Sequence, residues 1–344
     1  MKWFGLILIA AMLLLVGCQL RPVAATLPVE TRIAFMTDRD GDFEIYLMEP
    51  DGSNPTNITH ASDSIQALPV WSAQARAFAF IGNKPEVGLG IYRMDIDGGN
   101  VITLVDDLEL SPSAPIWSPT GAWLAFGVGR EENQEIYLVD ATGENVVNLT
   151  DHPGPDVLGT WSPDGQQLLF ASTRDGNLAL YLVGIDGGEP MQVTDPAYSS
   201  GRPTWSPDGR YLAYMTNRDG NIEIYSMDTD NGEETRLTDN NGFDGFPLWS
   251  PDGSKIGFLT DRDGDAEIYV MNPDGSDQTN VTNAPQSQES VQGDFAWSPD
   301  GSQILFHSDR DGDAEIYIMD ANGEHVANLS HNPTIDLGSV WVVD

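Results

Sequence analysis

An all-β chain folded as a seven-bladed β-propeller, with four antiparallel strands in each blade, is what this sequence predicts, and three observations predict it. Trp71, Trp117, Trp161, Trp205, Trp249, Trp297 and Trp341 recur at intervals of 44 to 48 residues. Seven apolar-tyrosine pairs keep step with them: Ile45-Tyr46, Ile91-Tyr92, Ile136-Tyr137, Leu180-Tyr181, Ile224-Tyr225, Ile268-Tyr269 and Ile316-Tyr317. Both series are out of phase with the chain ends, because the first pair has no tryptophan before it and Trp341 has nothing after it but Val342, Val343 and Asp344. A ring reunites the two fragments into one complete unit, closed by pairing the C-terminal strand with the N-terminal ones. A period of about 40 to 50 residues with four short strands per unit is the signature of propeller blades.

Taken in order, the first seventeen residues read as a signal peptide: Lys2 precedes an apolar run from Trp3 to Val16 that is short for a membrane span. Leu15-Val16-Gly17-Cys18 resembles the lipobox of bacterial lipoproteins, which implies lipid modification at Cys18. Residues 18–30 carry two prolines and no periodic pattern, so they read as a tether to the membrane. By resemblance to lipoprotein sorting, Gln19 implies the periplasmic face of the outer membrane, with the outer face of the cytoplasmic membrane as the other location. Residues 31–344 form the propeller. Cys18 is the only cysteine, so the domain is expected to hold together without a disulfide.

Composition supports an ordered, turn-rich domain, with 35 Gly and 22 Pro among 344 residues. The formal net charge of −37 repels nucleic acid and anionic headgroups and favours cations or basic protein segments. A monomer is expected.

The repeat from Leu248 to Thr282 shows how one blade is built. Ser250-Pro251-Asp252-Gly253 suits a type I turn, with proline fixing φ at its second position. It joins the strand of Trp249 to an apolar strand at Ile256–Thr260, and Asp261-Arg262-Asp263-Gly264-Asp265 leads on to a strand at Glu267–Met271. Pro273-Asp274-Gly275 makes the third turn, before a strand ending in Asn280-Val281-Thr282. The tryptophans belong where blades pack face to face. The second and third repeats depart from the pattern at Trp71-Ser72-Ala73 and Val128-Gly129-Arg130, departures that either mark one functional side of the ring or are drift that a packed ring tolerates, the latter being the favoured reading.

The recurring Trp-Ser-Pro-Asp-Gly, Arg-Asp-Gly-x-x-Glu-Ile-Tyr and closing Leu-Thr resemble the PD40, or WD40-like, repeats of TolB-type propellers, also found beside prolyl oligopeptidase-type peptidases. The resemblance covers residues 31 to 344. It implies a propeller that binds a protein or peptide in the bacterial cell envelope. The chain differs from TolB-type proteins in having seven repeats where they have six blades, and a short tether where they have an α/β domain.

Catalytic signatures are sparse. No Gly-x-Ser-x-Gly elbow, phosphate-cradling loop or His-Glu-x-x-His occurs, so no enzyme activity is expected. A metal-assisted polysaccharide lyase or hydrolase working in the channel is the competing reading, and a structural scaffold is the third. Among the five histidines, His60, His152 and His331 follow the fourth strand in separate blades, His307 ends a second strand and His325 sits in a turn. No cofactor is expected beyond calcium, for which the alternating carboxylates of Asp38, Asp40, Asp42, of Asp261, Asp263, Asp265 and of Asp309, Asp311, Asp313 are the candidates. Their glycine comes too early for an EF-hand loop, which favours hairpin turns whose own arginine offsets the acids. Connections between blades end at the channel mouth, where Asp156, Asp244 and Asp336 stand five residues before a tryptophan and Asp294 three. With Arg202, Phe243, Phe246 and Phe295, they form the expected binding rim.

Overall fold

The computed structural model describes residues 31–60, 64–84, 88–106, 113–130, 133–284 and 295–344. The signal peptide, tether, Cys18 and Asp294 lie outside these residues. Seven four-stranded antiparallel sheets follow one another along the chain; within each, strands are lettered A to D from the channel outwards. The A strands are Gln66–Ser72, Ile116–Trp117, Asp156–Trp161, Ser200–Trp205, Asp244–Trp249, Ala296–Trp297 and Asp336–Val343. Blade 1 takes its A strand from the C-terminus and strands B to D from Thr31–Thr37, Glu44–Met48 and Thr56–Asn57. Thr31 lies opposite Val343, Ile33 opposite Trp341 and Thr37 opposite Asp336. The expected closure is therefore the observed one, and no innermost edge is left unpaired at the seam.

Both faces of a blade are covered by neighbours, so strands such as Ile256–Thr260 are buried along their whole length. Their period-two alternation sorts side chains between two seams. Ile256 and Phe258 pack towards blade 5 with Ala213 and Leu237, whereas Leu259 packs towards blade 7 with Ile304 and Phe306. Seven apolar clusters result, one at each seam. Trp161, Trp249 and Trp297 are buried there, as expected, and the other four repeat tryptophans are half-buried. The indole N–H of Trp71 donates to the Val343 carbonyl (2.9 Å), that of Trp161 to Ile116 (3.2 Å) and that of Trp297 to Leu248 (3.2 Å). Each ties its blade to the A strand before it.

The A–B turns form as the sequence implies. Gly253 N–H donates to Ser250 O (2.9 Å), Ser250 Oγ donates to Asp252 (2.7 Å), and Lys255 N–H donates to the same Oγ (2.9 Å). C–D turns add a contact between blades. Gly275 has φ +82°, and a Cβ on it would stand 2.6 Å from the Leu237 carbonyl oxygen of the preceding D strand. The same approach recurs from Gly52 to Leu329 and from Gly323 to Val281.

Two expected outcomes test this packing. Gly275→Ala imposes both a left-handed non-glycine residue, about 1–3 kcal/mol, and a collision with backbone. Gly232→Ala, at φ +72° with nothing within 4 Å, imposes only the first, so urea unfolding should rank Gly275→Ala as the more damaging. The second concerns His307, whose Nε2 lies 3.2 Å from Ser339 Oγ across the closure seam. Burial pushes its pKa down to about 4. The unfolded chain then holds more protons between pH 6.5 and 4, so stability should fall by roughly 3 kcal/mol as pH drops through that window. His307→Leu should flatten this part of the stability–pH curve.

Candidate binding face at the channel mouth

The Asp-Arg-Asp-Gly loops join strands B and C on the same side of the ring as the D-to-A connections. Their arginines reach inwards. Arg262 donates through N–H and Nε to Thr260 Oγ1 (3.2 and 3.1 Å), lies over the Phe258 and Tyr269 rings (5.4 and 4.9 Å), and pairs with Asp244 at 2.8 Å. Arg174 makes the same set with Ser172, Phe170, Tyr181 and Asp156 (3.2 Å), and Arg39 with Thr37, Phe35, Tyr46 and Asp336 (3.3 Å). The carboxylates of Asp156, Asp244 and Asp336 are wholly buried. Burial pushes the Asp244 carboxyl above the ordinary aspartate value in spite of Arg262.

The position of these three acids differs from the expected rim. They were expected on the connections that line the mouth; they are instead the first residues of the A strands and face into their own blades, where each buried carboxylate is paired with a loop arginine. A sequence signal existed for this pairing: in blades 1, 4 and 6 an aspartate five residues before tryptophan accompanies a loop arginine. Blade 5 has Ser200 at that place, and its Arg218 turns instead to Glu234 (2.9 Å).

The second aspartate of each loop is also engaged. The Tyr46, Tyr269 and Tyr317 hydroxyls donate to Asp40, Asp263 and Asp311, and burial, then that bond, pushes Tyr46 and Tyr269 up to about 12. Asp38 accepts from Ile335 N–H (3.1 Å) and Asp261 from Phe243 N–H (2.6 Å). Asp42, Asp309 and Asp313 are exposed and Asp265 is half-buried. The loop carboxylates therefore serve different partners, whereas calcium needs about six to eight converging oxygens. Among the described residues no three His, Cys, Asp or Glu groups assemble as a metal site would require. The histidines are dispersed: His152 Nδ1 accepts from Gly154 N–H (3.0 Å), His325 lies 2.7 Å from Asp320, His60 and His331 are exposed, and His307 is at the closure seam.

Beside these acids, the same side of the ring exposes apolar and cationic groups. The A strands are bulged near their start, and Leu68, Arg202 and Phe246 take positive φ at the bulges of blades 2, 5 and 6. Such strain in non-glycine residues gathers where a side chain must be aimed at a ligand. Arg202 is exposed, with its guanidinium 4.8 Å from the Phe246 ring centroid, and Phe243 lies 6.0 Å from Phe246. Ile65, Val157, Tyr198 and Ile335, 41 to 49% exposed, stand on the D-to-A connections or the first A-strand residues. The sequence motifs singled out Arg202, Phe243 and Phe246 and gave no signal for these four. Phe295 is buried behind Trp297 in the seam between blades 6 and 7, and is not part of the mouth.

Removing one member of a lock leaves a buried charge alone. Arg262→Ala should cost about 3–5 kcal/mol in chemical unfolding. Arg76→Ala, which deletes the exposed pair with Asp344, should change stability by less than about 1 kcal/mol.

A Tol-Pal system protein TolB from Desulfosudis oleivorans is 37% identical over 122 residues, 35% of this chain and 27% of that protein. The chain thus spans about a quarter of that relative's length. The crystal structure of TolB from Acinetobacter baumannii superposes with a TM-score of 0.54 at 25% identity, covering 71% of this chain and 61% of the other. An oligogalacturonate lyase in complex with manganese superposes at 0.67 over 83% of this chain and 85% of the other, but at 19% identity it shares the fold alone. The TolB beta propeller domain family, PD40, matches residues 26–197 and 190–295, and the chain belongs to that family.

Proposed function

We propose that this protein is a non-catalytic propeller of the bacterial cell envelope, exported and lipid-anchored through Cys18, that binds a protein or peptide segment at the channel mouth. The observation that carries the reading is the exposure of Ile65, Val157, Tyr198 and Ile335 at the start of the A strands of four blades, on the side of the ring where Arg202 lies over Phe246. Exposed apolar side chains on one side of the ring, with a cation among them to orient a ligand, suit a binding surface. Family membership and the Tol-Pal relative support the envelope assignment. The dispersed histidines and the carboxylates committed to arginine and tyrosine leave little of the converging acid–base or metal chemistry that a lyase or hydrolase needs.

The test is recovery of partners from native membranes with the wild-type lipoprotein and an Arg202→Glu, Tyr198→Ala double variant of unchanged melting temperature. Loss of a specific partner, at least tenfold and so about 1.4 kcal/mol or more, is expected. Equal recovery by the variant, or turnover of an acidic glycan by the purified protein, would overturn the reading.

A further inference from the structure

The opposite side of the ring, which carries the A–B and C–D turns, has one seam unlike the rest. At six seams the D-strand residue that faces the next blade is covered: Ile58, Leu104, Leu149, Leu237, Val281 and Leu329 are at most 7% exposed. Its counterpart between blades 4 and 5, Val193, is only half-buried. The cause is one additional residue in the blade 5 C–D turn. Gly232 follows Tyr225 by seven positions, whereas Gly275 follows Tyr269 by six. Gly232 N–H accordingly donates to Asp228 O four residues back (2.8 Å), whereas Gly275 N–H donates to Asn272 O three back (2.9 Å). Thr229 then pins the longer turn to its own blade by donating to Gly209 O (3.1 Å) and Arg210 O (3.0 Å). The turn that should close on Val193 is held away from it.

What remains is an apolar cleft of about 200 Å³, walled by Leu182, Val193, Trp205, Leu212 and Met227 with Met191 at its lip. It opens into a mouth of about 450 Å³ that also reaches Asp164 and Asp208 on the two flanking A–B turns. An apolar cavity of about 150 Å³ already accepts a benzene ring, so the inner volume suits one large side chain. Ser162 and Ser206 donate to the two aspartates (both 2.6 Å) and hold their carboxyls below the usual range, so the mouth is negative at neutral pH. Arg210, the cation beside them, is already paired with Asp228 (3.3 Å).

We propose that the seam between blades 4 and 5 is a second docking site, which takes one aromatic or large aliphatic side chain from a basic segment of a partner protein. Charge complementarity selects this occupant. A lysine- or arginine-flanked anchor gains from Asp164, Asp208 and the −37 field of the whole chain, whereas an acidic segment with the same anchor is repelled. The site is independent of the channel mouth and lies on the other side of the ring.

Fluorescein-labelled Lys-Lys-Phe-Lys-Lys, Lys-Lys-Ser-Lys-Lys and Glu-Glu-Phe-Glu-Glu peptides, titrated with the full-length protein in detergent and read by anisotropy, test it. The basic phenylalanine peptide should bind at least tenfold more tightly than either control, and more weakly as salt is raised. Met191→Lys, at a side chain 60% exposed and so harmless to folding, should abolish that preference, as should deletion of Thr229. Equal binding of the three peptides, or binding untouched by both variants, overturns the proposal. Loss of binding on Arg202→Glu with Met191→Lys still competent also overturns it, by placing the peptide at the channel mouth, and leaves the reading of that mouth standing.

Discussion

Closure of the ring is the constraint on which the other features depend. Blade 1 is completed only when Asp336–Val343 lies against Thr31–Thr37, and a run of seven open blades would leave both faces of the array uncovered. No single blade can bury both of its surfaces, so each seam borrows half of its core from the next sheet. The seam made by closure is held by chain ends nearly the full sequence apart: Arg39 pairs with Asp336, Ile335 donates to Asp38, and Trp71 donates to Val343. These are repeat contacts made across the termini.

Within the ring, arginine is spent on internal order more than on ligands. A loop guanidinium that satisfies a hydroxyl, lies over two aromatic rings and neutralises a buried aspartate ties strands A, B and C of a blade together. Its geometry suits that work better than lysine's, since the planar group stacks and forks at once. In a chain with 53 acidic and 16 basic residues, committing arginines inwards makes the exposed Arg202 more conspicuous. Arg202 lies on a bulge at positive φ, against Phe246 of the next blade.

The two sides of the ring divide the work. Loops between strands B and C, and between D and A, carry the locks, the bulged strand starts and the apolar mouth. Turns between A and B, and between C and D, are short and glycine-bearing, and they press blade on blade. One added residue in such a turn is enough to open a seam, because close packing has no slack from which to refill the gap.

The amino-acid sequence by itself determined the blade count, the strand order and the closure, since spacing of tryptophan, tyrosine and turn residues is a local, periodic property that survives without coordinates. The Ile256–Thr260 and Glu267–Met271 strands lie where their pattern put them. Tertiary structure alone decided which way the polar side chains face. Asp156, Asp244 and Asp336 looked like rim acids because they precede the A strands, and they are internal because their partners come from a loop 18 residues further on, or from the opposite chain terminus. Ile65, Val157, Tyr198 and Ile335 carried no motif, and only the folded chain shows that they are exposed. The Val193 cleft was equally hidden: the extra residue at Thr229 is visible in the sequence, but its consequence arises from where the neighbouring blade stops.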